Sequence, residues 1–216
     1  MRLAITTLVA TALLHTASGK VHSGNYTGKC WSLNVKMNIE VQGDQFAGSG
    51  TNGIPGGAYA ILGEIDKAEH AKTGLIMLWA GRAVGAVPAQ TAALLNEGDK
   101  GELEGTSYTM RSPCTLQGVP GAPNTFTGSC WSLPALTTMK ISLPEGGGWL
   151  NANVTTPSHG DCRGYFTPAA NQLYIYCQNL ATAIYPADLI YNPKTRTFSG
   201  YSYYNAGANP TCRVSM

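Results

Sequence analysis

The octapeptide Tyr26-Thr27-Gly28-Lys29-Cys30-Trp31-Ser32-Leu33 recurs later in this chain as Phe126-Thr127-Gly128-Ser129-Cys130-Trp131-Ser132-Leu133, with six of its eight positions identical. The likeness continues beyond it, because Leu103–Tyr108 matches Phe198–Tyr203 in pattern. Self-similarity at a distance of this size indicates an internal repeat. The sequence therefore predicts two copies of one structural unit within 216 residues.

The predicted division of the chain follows from that repeat. The first β-repeat covers residues 20–116 and the second covers 124–216. Residues 117–123 contain two Pro and two Gly without any periodic pattern, which is typical of a linker. Residues 1–19 combine a short apolar stretch with small residues near its end, as a secretory signal peptide does.

Hydrophobicity with a period of two predicts that both repeats are all-β. Met37, Ile39 and Val41 alternate with polar residues, as in a strand with one buried face. In the second repeat, turn signals delimit about eight strands, near 125–133, 136–143, 148–156, 161–167, 171–178, 185–192, 196–204 and 210–215. We therefore expect a tandem pair of small antiparallel meander β-barrels, with two β-sandwiches as the alternative. The stretch 88–95 fits both the start of a helix and a strand.

Six cysteines follow the apolar N-terminal stretch, which predicts disulfide bonds in an oxidising compartment. Since the repeat makes Cys30 and Cys114 equivalent to Cys130 and Cys212, we expect one bridge within each copy, joining its first strand to its last. The remaining pair, Cys162 with Cys177, is expected to link neighbouring strands of the second repeat.

The segment Thr27-Gly28 with Trp31 and the following Phe46-Ala47-Gly48 resembles the first hairpin of avidin-like and lipocalin-like barrels. The resemblance covers one hairpin of each copy, and the spacing here is Gly-x-x-Trp where lipocalins have Gly-x-Trp. It implies a barrel fold and carries no ligand-binding residues with it.

Composition and short motifs point to a secreted glycoprotein. Charged residues make up 12% of the chain and the net charge is +2, without a run of Lys or Arg, so we expect no nucleic-acid partner. No apolar stretch approaches the length of a membrane span, so none is expected. Asn25 and Asn153 each begin an Asn-x-Thr sequon.

Catalytic and metal-binding chemistry is not expected, and no cofactor is predicted. The neighbours His159 and Asp161 are expected to lie on a solvated turn, since triad residues are brought together by folding rather than by adjacency. The acidic residues Glu64 and Asp66, with Glu69 and His70, match no metal-ligand spacing and are expected to form an exposed polar loop.

Tyrosine is concentrated in the second repeat, which has eight of the eleven. Alternation places one set of aromatic residues on the faces opposite the aliphatic ones, and this set is our candidate binding surface: Tyr174, Tyr176, Tyr201, Tyr203 and Trp149. We expect a non-enzymatic extracellular binding protein whose partner is a protein, a glycan or a small apolar ligand. The opposite register would make the second barrel a carrier with an aromatic interior, and a secreted hydrolase with an unrecognised site is a third alternative.

Overall fold

The structure is a computed structural model that describes residues 21–51, 57–66, 75–81, 89–98, 100–131, 133, 135–156, 159–180, 183–204 and 211–216. Sixteen β-strands form two closed, eight-stranded antiparallel barrels, as the sequence predicts. The described residues contain no helix long and apolar enough to cross a membrane. The predicted signal peptide, Glu69 and His70 lie outside the described residues.

The first barrel consists of the first seven strands and the last one. In chain order these are β1 (Gly24–Cys30), β2 (Leu33–Gln42), β3 (Gln45–Thr51), β4 (Ala58–Ile65), β5 (Leu75–Gly81), β6 (Thr91–Glu97), β7 (Leu103–Tyr108) and β16 (Thr211–Ser215). The first seven form a meander, and β16 closes the barrel by pairing with β1 and β7. Of the stretch 88–95, which fitted both helix and strand, residues 91–95 belong to strand β6, and residue 88 lies outside the described residues.

The second barrel is a continuous meander of the intervening strands. These are β8 (Met110–Gly118), β9 (Thr125–Ser129), β10 (Thr137–Ile141), β11 (Gly148–Thr156), β12 (Gly160–Thr167), β13 (Gln172–Leu180), β14 (Ala183–Asn192) and β15 (Thr197–Tyr204), with one 3₁₀ turn at Pro168–Ala170. Pairing of β15 with β8 closes it. The stretch predicted as a linker forms the end of β8 and the connection to β9.

The two barrels exchange the last strand of each sequence repeat. Strand β8 ends the first repeat but belongs to the second barrel, whereas β16 ends the second repeat and belongs to the first barrel. Only Thr109 separates β7 from β8. Because a β-hairpin needs a loop of at least two residues, β8 cannot fold back beside β7 and continues into the next barrel.

This exchange changes two of the three predicted disulfides. Cys30 on β1 is bonded to Cys212 on β16, and Cys114 on β8 is bonded to Cys130 just after β9. The predicted pairs Cys30–Cys114 and Cys130–Cys212 are therefore wrong, because the predicted partners lie in different barrels. Each barrel nevertheless has a bridge between its equivalent first and last strands.

The third predicted disulfide is confirmed. Cys162 and Cys177 face each other on β12 and β13 and are bonded, with their Cα atoms 4.0 Å apart. Three disulfides are typical of a protein that folds in an oxidising compartment.

Side chains fill the interiors of both barrels. Met37, Ile39 and Phe46 belong to a buried cluster in the first, and Leu173, Ile175 and Phe198 belong to one in the second. The register that would line the second barrel with tyrosines is therefore not the observed one. Ligand sites must be sought at the barrel ends and on their outer faces.

Candidate functional site

The tyrosine-rich face of the second barrel points outward, as predicted, but the first barrel covers it. Tyr174 and Tyr176 are 1% and 2% exposed and Tyr203 is fully buried. All three belong to one buried cluster with Met77 and Trp79 of the first barrel. The expectation that these tyrosines form an exposed band is wrong, because the alternation that fixes their direction does not show what packs against them. Tyr201 and Trp149, the other predicted members, are half-buried.

Aromatic and hydrogen-bonding contacts hold the two barrels together. The rings of Trp79 and Tyr174 stack with their centroids 4.9 Å apart. The Tyr203 hydroxyl donates to the Ala89 carbonyl oxygen at 2.6 Å, and the Ala89 amide donates to Asp188 Oδ2 at 2.7 Å. Because Arg111 Nη1 also donates to the Ala89 carbonyl oxygen, the backbone of one residue of the first barrel is held by three side chains of the second.

Two of the carboxyl groups buried in this interface, one from each barrel, accept hydrogen bonds from neutral donors. Glu64 on β4 accepts a hydrogen bond from Trp79 Nε1 at 2.7 Å, and Asp188 on β14 accepts one from Gln172 Nε2 at 2.6 Å. Burial raises the pKa of Glu64 well above its usual range, and the nearby Asp188 raises it further. Burial also raises the pKa of Asp188 to about 7.

The acidic stretch predicted as an exposed loop is therefore buried where the structure describes it. Glu64 has no exposed surface, and Asp66 is 1% exposed. Asp66 forms a two-point ion pair with Arg163 of the second barrel, at 2.7 Å from Nε and 3.1 Å from Nη2. The Arg163 guanidinium also lies 5.1 Å from the centre of the Trp149 ring. Asp66 and Arg163 therefore join the two barrels.

An open cleft lies at one end of the first barrel, on described residues from five elements. Its volume is about 280 Å³, and mainly apolar surface lines it. The cleft is lined by Trp31 from the turn between β1 and β2, Leu33 from β2, Tyr59 from β4, Ala80 and Gly81 from β5, Thr91 from β6, and Thr109 from the link between β7 and β8. We call this the mouth cleft.

Trp31 forms a rigid wall of the mouth cleft. Its backbone is in the left-handed region at φ 53°, its amide donates to Ser107 Oγ at 3.1 Å, and its Nε1 donates to the Ala92 carbonyl oxygen at 2.9 Å. The second repeat reproduces part of this, since Trp131 has φ 56° and its amide donates to Ser202 Oγ at 2.9 Å. The repeated Cys-Trp-Ser motif thus fixes a tryptophan at the end of each barrel.

Tyr59 is the second aromatic residue that lines the mouth cleft. Its ring meets the Trp31 ring edge-on, with the centroids 5.9 Å apart. It lies over Gly50, where a Cβ atom would be 2.6 Å from the ring. Its hydroxyl is buried without a hydrogen-bond partner among the described residues. Burial raises the pKa of Tyr59 to about 12, so the hydroxyl is neutral and can both donate and accept.

A second concavity lies on the outer face of the second barrel. It is an open groove of about 580 Å³ across β10, β11 and β12. Lys140, Asn151, Asn153 and Asp161 are among the polar residues that line it. We call it the polar groove.

No family model matches this chain, and neither the curated proteins nor the solved structures gave a match. Its function must therefore be inferred from these sites.

The remaining predicted site residues are accounted for as follows. His159 and Asp161 are exposed, with His159 Nε2 and Asp161 Oδ1 3.4 Å apart, so the predicted exposure is confirmed, but Asp161 lies on β12 and not on a turn. Asn25 is exposed on β1, whereas Asn153 is half-buried on β11. Among the described residues no group of three or more His, Cys, Asp or Glu side chains could hold a metal ion.

Sequence analysis did not identify the mouth cleft, although one of its signals was present. Trp31 lies in the repeated octapeptide, and we used it only to establish the repeat. Tyr59 has no counterpart in the repeat and lies far from Trp31 in sequence. Their contact depends on closure of the barrel, which brings the last residue of β1 and the first residues of β4 to the same rim.

Proposed function

We propose that this protein is a secreted, non-enzymatic binding protein that takes a small, flat, apolar ligand in the mouth cleft. The observation that carries the proposal is an open, mainly apolar cleft walled by Trp31 and by Tyr59, whose buried hydroxyl has no hydrogen-bond partner among the described residues. A cleft with apolar walls and few polar groups is the usual form of a small-molecule site.

The cleft geometry defines the chemistry of the ligand. Two aromatic rings at 87° to each other offer a face and an edge to a planar molecule. The Tyr59 hydroxyl gains a hydrogen bond only from a ligand with one matching polar group. A buried hydroxyl without a partner carries a penalty of about 1–3 kcal/mol, which such a ligand relieves. The volume of about 280 Å³ restricts the ligand to a small molecule.

Access to solvent distinguishes the mouth cleft from the tyrosine-rich face. Tyr174, Tyr176 and Tyr203 contact the first barrel, which leaves no surface there for an outside partner. Leu33 at the edge of the mouth cleft is 38% exposed. A ligand can therefore enter the cleft without separation of the barrels.

Fluorescence titration with two probes tests the proposal. Aminoanthracene has an amine that can bond to Tyr59, and anthracene lacks it. We expect Tyr59→Phe to weaken aminoanthracene binding about tenfold, equivalent to about 1.4 kcal/mol, and to leave anthracene binding unchanged. The matched control is Tyr191→Phe, a half-buried tyrosine of the second barrel. Absence of saturable binding to the parent protein, or an equal loss for both probes, would overturn the proposal.

A further inference from the structure

The polar groove is built from residues that lie side by side on three neighbouring strands. Lys140 on β10 pairs in register with Asn153 on β11, and Asn153 pairs with Asp161 on β12. Asn151 lies two residues from Asn153 on the same outer face of β11. Between these residues the floor is formed by the row Ile141, Ala152 and Cys162, which are in register with one another.

The lining of the groove suits a neutral ligand with many hydroxyl groups. Lys140 donates hydrogen bonds, Asp161 accepts them, and the Asn153 amide does both, whereas Asn151 Oδ1 already accepts a hydrogen bond from Arg163 Nη1 at 3.0 Å and its amide nitrogen can donate. One positive and one negative charge flank Asn153, so the groove favours no net charge. Asn153 Oδ1 is buried and has no hydrogen-bond partner among the described residues. A carbohydrate hydroxyl is a donor that can meet such an oxygen.

Asn153 also begins the sequon Asn153-Val154-Thr155. It lies in the middle of the row that crosses the groove, so a sugar attached to it starts inside the groove. We propose that the polar groove is the seat of an N-linked glycan on Asn153, whose first sugars lie across β10, β11 and β12. This inference concerns the second barrel and is independent of the ligand in the mouth cleft.

Asn25 provides an internal comparison within the same chain. It begins the other sequon and is exposed on β1, where its Oδ1 already accepts a hydrogen bond from Asn38 Nδ2 at 2.9 Å. A glycan there is expected to extend into solvent. We therefore expect a glycan on Asn153 to be less accessible than a chemically similar glycan on Asn25.

The test uses the full chain secreted from a eukaryotic host, with site occupancy measured by mass spectrometry of glycopeptides. We expect Asn153 to be occupied. Under native conditions, peptide-N-glycosidase is expected to release its glycan at least about tenfold more slowly than the glycan of Asn25, a difference of about 1.4 kcal/mol. Denaturation should remove the difference, because the groove is then lost.

Groove variants make the test specific. The double variant Lys140→Ala/Asp161→Ala removes two exposed side chains and should bring the release rate at Asn153 close to that at Asn25. Lys36→Ala/Glu40→Ala, exposed on β2 of the first barrel, is the matched control and should change neither rate. An unoccupied Asn153, equal native release rates at the two sites, or a groove variant without effect would overturn the inference.

Discussion

Glu64 and Asp188 are acidic residues whose surroundings favour their protonated forms. Each accepts hydrogen bonds from neutral donors: Trp79 for Glu64, and Gln172 with the Ala89 amide for Asp188. The arginines near them have other contacts, since Arg163 pairs with Asp66 and Arg111 donates to the Ala89 carbonyl oxygen at 3.1 Å. Burial without a paired cation explains the raised pKa values of both carboxyl groups.

These raised pKa values predict that the protein is less stable at neutral than at acidic pH. The folded state binds more protons than the unfolded state between the ordinary pKa of Asp188, 3.8, and its folded value of about 7. The free energy of unfolding therefore falls as pH rises through that window, by up to about 1.4 kcal/mol per pH unit for each group. Glu64 acts in the same direction because its folded pKa is also raised.

Glu64→Gln tests this explanation at a single residue. Glutamine can keep the acceptor for Trp79 Nε1 while removing the charge. We expect it to raise the free energy of unfolding at pH 8 by about 2 kcal/mol, because the unfolded state alone gains from ionising the carboxyl group there, and to have little effect at pH 4.5, where the folded carboxyl group is protonated. Urea denaturation at both pH values measures this. Glu145→Gln on an exposed turn is the control, and an equal effect at the two pH values would contradict the explanation.

At the scale of the strand, close contacts between neighbours explain why the repeat keeps a glycine in its octapeptide. A Cβ atom at Gly128 on β9 would lie 2.0 Å from the Thr115 carbonyl oxygen on β8. A Cβ atom at Gly28 on β1 would likewise lie 2.1 Å from the Arg213 carbonyl oxygen on β16. The glycine therefore lets the first strand of each barrel approach the strand that closes it.

Gly128→Ala should consequently destabilise the second barrel by about 3 kcal/mol, because the clash is with backbone that cannot move without breaking the pairing of β8 and β9. Gly146→Ala is the matched control. A Cβ at Gly146 meets nothing within 4 Å, so its change should stay within about 0.5 kcal/mol. Chemical denaturation of both variants measures the difference, and similar values for the two would refute a role for close approach.

Most of the strands could be predicted because their signals are local. Alternation identified the buried face of β2, and turn residues marked the ends of β11 and β15 to within a residue. The outer faces could not be interpreted in the same way. Tyr174 points away from the barrel interior as its pattern indicates, and Glu64 was predicted to lie on an exposed loop, but a sequence pattern does not show that another barrel covers them.

At the scale of the whole molecule, the exchange of β8 and β16 between the barrels could not be predicted from the internal repeat. Because Cys30 and Cys114 are equivalent to Cys130 and Cys212, we expected one bridge within each copy. Bridges formed after an exchange of the last strands fit the same repeat equally well. The signal that separates the two possibilities is the segment from Tyr108 to Arg111, which has no turn-forming pair to reverse the chain where β7 ends. The mouth cleft is tied to the same feature, because Thr109 at the crossing point is one of its lining residues.

The disulfide that secures the returning strand should contribute more to stability than the one within a hairpin. Cys30–Cys212 spans 182 positions and Cys162–Cys177 spans 15, and chain-entropy arguments assign about 5 and about 3 kcal/mol to loops of these sizes. We expect Cys30→Ala/Cys212→Ala to lower the free energy of unfolding by about 2 kcal/mol more than Cys162→Ala/Cys177→Ala, as measured by guanidinium denaturation. It should also speed proteolytic removal of the C-terminal strand, which is otherwise held by its pairing with β1 and β7, by the burial of Val214 and by the ion pair of Arg213 with Glu104. If the hairpin bridge proves the more important of the two, β16 is held mainly by strand pairing, and the bridge is not what secures the exchange.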